Sequence, residues 1–213
     1  RNITARIISR EEAIIAGVRH AKEIFKLKGC NVMIVKKDGS KIKPNQTIMT
    51  ISGDAGKILT CERTALNLLT RMSGIATQTD YLVRKITNKK TKLYATRKTA
   101  PGLRYFDKEA VEIGGGKKHR LKLDEMVMIK DNHIAVNGSL LSLIKSAKRK
   151  YKKFEVEVEN TADAVLAAKE GATIIMLDNF SPEQIRKTIQ VLKDQKLRNK
   201  ALLEASGGIN SKN

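Results

Sequence analysis

From residue 92 onward, short runs rich in β-branched and apolar residues alternate with stretches of helical period, and this alternation is the tightest constraint on the fold. The runs are 92–96, 125–130, 154–159, 173–178 and 201–205. Between the later ones, Leu140, Leu141, Ile144 and Ala147 make one apolar face, Val165, Leu166 and Ala168 a second, and Ile185, Ile189 and Leu192 a third. Ser181, Pro182 and Gln184 supply an N-cap, a proline at the first helical position and a capping-box partner. Gly171, just past Lys169 and Glu170, reads as a helix stop. Strands that alternate with helices in this way form a mostly parallel sheet covered by those helices. A β/α barrel gathers the C-terminal ends of its strands into one mouth, where its chemistry is done. Arg97, Lys98, Lys130, Glu157, Asp178 and Ser206 stand at those ends, so an enzyme is expected.

The first part of the chain has a different pattern. Ser9 with Glu12 reads as a capping box opening a helix that ends near Lys26, with Ile14, Ile15, Val18, Ala21 and Phe25 on its apolar side. Residues 31–35 and 46–51 read as strands, with Lys37, Asp38, Gly39 and Ser40 as a turn into a short strand at Ile42. This is an α+β arrangement. A long helix is expected over about 57–86, with Leu66, Leu69, Met72, Ile75, Leu82 and Ile86 apolar and a break at Ser73-Gly74. The domains are therefore expected at 1–86, including this bridging helix, and at 87–213. The chain opens on Arg1 and stops soon after Ser206-Gly207-Gly208-Ile209, and five strands cannot close a barrel of eight. An incomplete, TIM-like parallel α/β barrel is expected, in a segment truncated at both ends.

With 213 residues and 41% apolar content the chain can bury a real core, yet no apolar run approaches the ~20 residues of a membrane span. Cys30 and Cys61 lack any Cys or His at metal-ligand spacing and read as buried reduced thiols, which with no secretory signal points to the cytoplasm. The net charge is +20, from 42 Lys plus Arg against 22 Asp plus Glu. Such an excess attracts any anion, so the partner must be judged from texture. Aromatic residues are only 4%, too few to stack single-stranded bases, and the positive charge is spread over both halves and interrupted by acids. The clusters Lys148, Arg149, Lys150, Lys152, Lys153 and Lys85, Lys89, Lys90, Lys92 read as solvated surface, with neither nucleic acid nor membrane as partner.

Residues 94–133 hold the densest set of reactive groups: Thr96-Arg97-Lys98-Thr99, Pro101-Gly102-Leu103-Arg104, Gly114-Gly115-Gly116, His119-Arg120 and Ile129-Lys130-Asp131-Asn132-His133. Added to these are Glu62-Arg63-Thr64-Ala65-Leu66-Asn67, Ser73-Gly74-Ile75-Ala76-Thr77, Glu155-Val156-Glu157-Val158-Glu159, Leu177-Asp178-Asn179 and Glu204-Ala205-Ser206-Gly207-Gly208-Ile209. Together they resemble the quinolinate phosphoribosyltransferase family, the carboxylating nicotinate-nucleotide pyrophosphorylases, over essentially the whole chain. The resemblance implies an N-terminal α/β sandwich before the incomplete barrel, and a homodimer or higher even oligomer. It also implies the reaction: quinolinate and phosphoribosyl pyrophosphate, with Mg2+, give nicotinate mononucleotide, pyrophosphate and carbon dioxide.

On that resemblance Arg97, His119, Arg120 and Lys130 line a pocket for the two quinolinate carboxylates, with Arg63 contributed by the neighbouring subunit. Guanidinium groups suit this task because they bind carboxylates through paired, charge-assisted hydrogen bonds. Phosphoribosyl transfer develops positive charge on the ribose while pyrophosphate departs, so carboxylates are needed near the sugar and cations near the phosphates. Glu157 and Asp178 match the family's acids and would also reach the metal indirectly, and Lys98 would contact phosphate or the carboxylate that is lost. Ser206 and Gly207 would offer hydroxyl and backbone N–H groups to phosphate.

Some residues read as structural. Glu155, Glu157 and Glu159 share one strand face; a site is expected for Glu157, while Glu155 and Glu159, toward a rim, read as solvated. Gly114 to Gly116 lack the preceding strand and the spacing of a dinucleotide fingerprint. His20 reads as structural, and His133 as either a loop-ordering group or a substrate contact. Rival readings are a related molybdenum-transport-associated protein, a nicotinate phosphoribosyltransferase, which would need fewer basic ligands, and a basic nucleic-acid-binding module. The Thr-Arg-Lys-Thr and Ile-Lys-Asp-Asn-His runs favour the pyrophosphorylase.

Overall fold

A computed structural model describes residues 1–88, 90–119 and 126–213. They form two compact units, Arg1–Leu121 and Lys122–Asn213.

The first unit runs β1 (Asn2–Ile8), β2 (Ala13–Ile14), α1 (Val18–Leu27), β3 (Asn31–Ile34), β4 (Lys41–Ile42), β5 (Thr47–Asp54), α2 (Ala55–Lys85) and α3 (Arg104–Ile113). β5 is the middle strand of an antiparallel sheet ordered β1-β5-β3. Its register aligns Ala5 and Val32 with Ile51, and Ile7 and Ile34 with Met49. One face of the sheet is therefore apolar and packs with Val18, Ala21 and Phe25 of α1 and Ile58, Cys61, Ala65 and Leu69 of α2. Both cysteines are buried and free, as expected, and burial pushes the Cys61 thiol pKa up.

Some local expectations fail here. Ser9 with Glu12 opens no helix: the Ser9 hydroxyl donates to the Glu11 carbonyl at 2.6 Å, and Ile14 pairs with Lys41 across β2 and β4. The helix starts later, after Gly17 at φ 90°, where the Asp38 carboxylate accepts from Val18 N at 2.8 Å. A cap from a distant residue leaves no local pattern. The turn at Lys37 to Ser40 does lie between β3 and β4, as expected, and the two strands then pair elsewhere, β3 with β5 and β4 with β2. α2 continues for 31 residues through Ser73-Gly74. Buried Ser73 uses its hydroxyl to accept from Ala16 N at 3.0 Å and to donate to Ala16 O, so it ties the helix to the segment between β2 and α1. The strand β1 carries no role in the sequence reading, and residues 92–96 form only an isolated parallel bridge, Tyr94 with Lys117.

The second unit runs β6 (Val127–Ile129), α4 (Asp131–Asn137), α5 (Leu140–Lys150), β7 (Phe154–Val158), α6 (Thr161–Glu170), β8 (Ile174–Asp178), α7 (Pro182–Asp194) and β9 (Leu202–Ser206). All pairings in the order β6-β7-β8-β9 are parallel. Ile129, Phe154, Val156, Val158, Ile175 and Leu177 turn one sheet face into a core with Ile144, Ala147, Ala164, Ala167 and Leu192 of the helices. The helix signals hold: Ser181 and Gln184 form the capping box, and Gly171 ends α6 at φ 94°. Lys148, Arg149, Lys150, Lys152 and Lys153 are exposed around the C-terminal end of α5, before β7 begins. No helix among the described residues is long and apolar enough to cross a membrane.

Candidate active site

Side chains alternate along a strand, so the sheet face that does not meet the helices carries the other set. In register, Lys130 follows β6 beside Glu157 of β7, Glu157 aligns with Met176 of β8, and Met176 with Glu204 of β9. One row further toward the C-terminal edge, Asp178 aligns with Ser206. Lys130 Nζ is ion-paired with Glu157, whose side chain is only 11% exposed. The ion pair replaces part of the hydration that burial takes from this carboxylate.

The Asp178 and Ser206 strand ends are fastened to each other by Asn179. Asn179 sits at φ 57°, its backbone N–H donates to Ser206 O at 2.8 Å and its amide donates to Asp178 Oδ2 at 2.8 Å. Gly207 follows at φ 78°, and a Cβ there would lie 2.1 Å from Asn179 Oδ1. Only glycine fits the turn. Consecutive residues of positive φ, Gly207 and Gly208, shape a backbone concavity of the kind that cradles anions. His133 accepts from Lys130 N at 3.0 Å through Nδ1 and so orders the start of α4, the loop role among its two expected ones.

The same face holds two acids the sequence reading undervalued. Glu155 is fully buried, not solvated at a rim, because it lies inside β7 rather than at its end. Its carboxylate comes within 4.8 Å of that of Glu204, which sequence reasoning gave no role. The signal was available: Glu204 precedes Ser206 by one strand period and must share its face. Glu159 is exposed, as expected.

The first unit carries the cationic residues on two facing segments. Ala95 N donates to Lys117 O and Lys117 N to Leu93 O, each at 2.8 Å. Beyond this bridge the Tyr94 and His119 rings meet edge to face, 5.8 Å between centroids. His119 has φ 53°, and Lys98 is exposed with its N–H on Thr96 Oγ1 at 3.1 Å. Arg97 Nε is buried and has no hydrogen-bond partner among the described residues. A guanidinium donor kept from water in this way is ready for an anion.

Helix α3 braces these segments. Arg71 of α2 grips Asp107 through Nε and Nη2 at 2.7 and 2.8 Å, and Asp107 Oδ2, which accepts from Nη2, also accepts from Ala100 N at 3.2 Å. The guanidinium holds the Asp107 carboxyl below the usual carboxylate range, against a burial that alone would raise it. Glu109 accepts from Arg19 at 2.6 Å and from His20 at 2.5 Å, and His20 packs edge to face on Phe106, so His20 is structural as expected.

Arg63 lies apart from this group. It is exposed on α2 and lines a groove of about 1100 Å³ with Glu62, Leu66, Asn67, Gly74 and Gln78, and neither Arg97, Lys98 nor His119 borders that groove. Arg120 falls outside the described residues. The structure thus brings Lys130, Glu157, Asp178, Ser206 and Gly207 to one edge of the parallel sheet, and Arg97, Lys98 and His119 to one pair of segments in the first unit.

Comparison with known proteins divides the chain elsewhere, within α2. Residues 1–73 match the family model for the quinolinate phosphoribosyl transferase N-terminal domain, and residues 75–213 that for its C-terminal domain. A probable nicotinate-nucleotide pyrophosphorylase (carboxylating) of Archaeoglobus fulgidus is 46% identical over 215 residues, covering 100% of this chain and 83% of that protein. The nicotinate-nucleotide pyrophosphorylase (carboxylating) of Mycobacterium leprae is 38% identical, over 99% of this chain and 76% of that one. The crystal structure of the nicotinate-nucleotide pyrophosphorylase of Ehrlichia chaffeensis superposes with a TM-score of 0.93 at 33% identity, covering 100% of this chain and 77% of that one.

Proposed function

The chain belongs to the quinolinate phosphoribosyl transferase family, and from that premise we propose that it transfers the phosphoribosyl group of phosphoribosyl pyrophosphate to quinolinate in NAD biosynthesis. It is a pentosyltransferase whose products are nicotinate mononucleotide, pyrophosphate and carbon dioxide. The observation that carries the reading is the polar face of the parallel sheet, where the Lys130–Glu157 pair adjoins Asp178, Ser206 and the Gly207 turn in a chain that matches both domains of the family.

The quinolinate ring nitrogen attacks the anomeric carbon as the bond to pyrophosphate breaks, and positive charge builds on the ribose. Glu157 and Asp178 stabilise that charge, because fixed carboxylates need no reorganisation as it develops. The ribosylated ring nitrogen is then cationic. When the adjacent carboxylate leaves as carbon dioxide, the electron pair remains beside that nitrogen and takes up a proton. The protein's part in this step is chiefly to hold the ring in place. Arg97, His119, Arg120 and Lys130 bind the two carboxylates, Lys98 meets phosphate or the departing carboxylate, and Ser206 with the Gly207 N–H holds phosphate.

Mg2+ suits the donor set, since it binds through one or two carboxylates together with substrate phosphates, and Glu157 and Asp178 are the carboxylates at this edge. When bound it would neutralise the charge of the departing pyrophosphate. We further propose a homodimer, or an even multiple of one, in which Arg63 reaches the neighbouring subunit's site. Its exposure on α2, in a groove that none of Arg97, Lys98 and His119 borders, supports this. The buried thiols fit a reducing, cytoplasmic setting.

Incubation with quinolinate, phosphoribosyl pyrophosphate and Mg2+ should yield nicotinate mononucleotide. Product from nicotinate but none from quinolinate would move the chain to the monocarboxylate reaction.

A further inference from the structure

Helix α3 carries a lysine where its apolar side should continue. Lys108 is fully buried. An ammonium survives removal from water only where acceptors replace its hydration shell. Its Nζ donates to Lys118 O at 2.5 Å and reaches Ala95 O at 3.5 Å. These carbonyls belong to the two facing segments that carry the cationic residues. Ala95 lies two residues before Arg97, and Lys118 immediately precedes His119.

The segments also meet at an isolated bridge and a ring contact. A single bridge leaves spacing and register poorly fixed. The neighbours of Lys108 on α3 are committed to other tasks, Asp107 to Arg71 and Ala100, and Glu109 to Arg19 and His20. Lys108 reaches both segments from one point on the helix.

We propose that Lys108 is a positioning residue for recognition of the diacid: its buried ammonium draws the Ala95 and Lys118 carbonyls to one point and so fixes the spacing between Arg97 and His119. This rests on the proposed function, in which Arg97 and His119 bind quinolinate carboxylates. Methionine fills nearly the same volume but donates nothing, so Lys108→Met removes the tie while keeping the packing.

The test compares wild type, Lys108→Met and Lys108→Gln. In Lys108→Met the KM for quinolinate should rise about tenfold or more, since small misplacements of binding groups are costly, while the KM for phosphoribosyl pyrophosphate changes far less. Lys108→Gln, which retains a donor, should fall between. Hydrogen exchange at the bridged amides of Ala95 and Lys117 should quicken in Lys108→Met, with the amides of α3 unchanged. A folded Lys108→Met with wild-type quinolinate KM and wild-type exchange overturns the proposal, as does an equal rise in both KM values. If neither variant folds, Lys108 is a folding residue and the proposal is also overturned. Should wild type leave quinolinate untouched, the proposed function falls, whereas the exchange measurement still judges the tie.

Discussion

At the scale of single residues, conformations forced by close approach separate structure from chemistry. Gly207→Ala would set a methyl 2.1 Å from Asn179 Oδ1 at φ 78°, so the turn must shift. We expect a loss of about 1–3 kcal/mol in denaturant unfolding and a raised KM for phosphoribosyl pyrophosphate; unchanged values for both would show that the turn neither strains nor binds. Asp107 gives a dependence on pH. Its folded pKa is depressed, so its pairing stabilises fully above the unfolded carboxylate value of about 3.9 and is lost as pH falls through the lower folded value. Asp107→Asn should therefore cost about 1–3 kcal/mol near neutrality and flatten the acid limb of the stability curve, measured by unfolding at stepped pH. Of the site, Lys130, Glu157, Asp178 and Ser206 were legible because strand ends can be read from pattern. Glu155 was not: its strand starts at 154 as expected, but a strand pattern does not show how deeply each position of a face is covered.

At the scale of elements, the parallel half was legible and the first half much less so. Helices with local caps, such as Ser181 with Gln184, announce themselves in sequence. The start of α1 is capped by Asp38, twenty residues away, and the apolar spacing of Ile14 and Ile15 mimics a helix where a strand forms. Ser73-Gly74 resembles a break, yet Ser73 is spent on Ala16, and a single glycine in so long a helix is a tolerable cost. Gly114 to Gly116 find their reason in packing. A Cβ at Gly114 would lie 2.4 Å from Ala76 O and 2.7 Å from Thr79 Cβ, so glycine lets the end of α3 lie against α2. Gly114→Ala should lower the thermal midpoint by several degrees, on the order of 2 kcal/mol; an unchanged midpoint would mean the helices are not in close contact.

At the scale of the whole molecule, the proposed chemistry draws its cations from both units, Lys130 from the second, and its acids from the second alone. The candidate carboxylate-binding groups Arg97, Lys98 and His119 belong to the first unit, and the acids Glu157 and Asp178 to the second. The proposed placement of Arg63 in trans has a direct consequence. Arg63→Ala and Glu157→Ala homodimers, dissociated and re-formed together, should recover about a quarter of wild-type activity, because half the dimers are mixed and each carries one intact site. No recovery would place Arg63 in its own subunit's site. The central claim is tested most directly by supplying quinolinate labelled in the carboxylate next to the ring nitrogen, with phosphoribosyl pyrophosphate and Mg2+. The account predicts labelled carbon dioxide and unlabelled nicotinate mononucleotide in equal amounts; label retained in the nucleotide, or nucleotide formed from nicotinate alone, would contradict it.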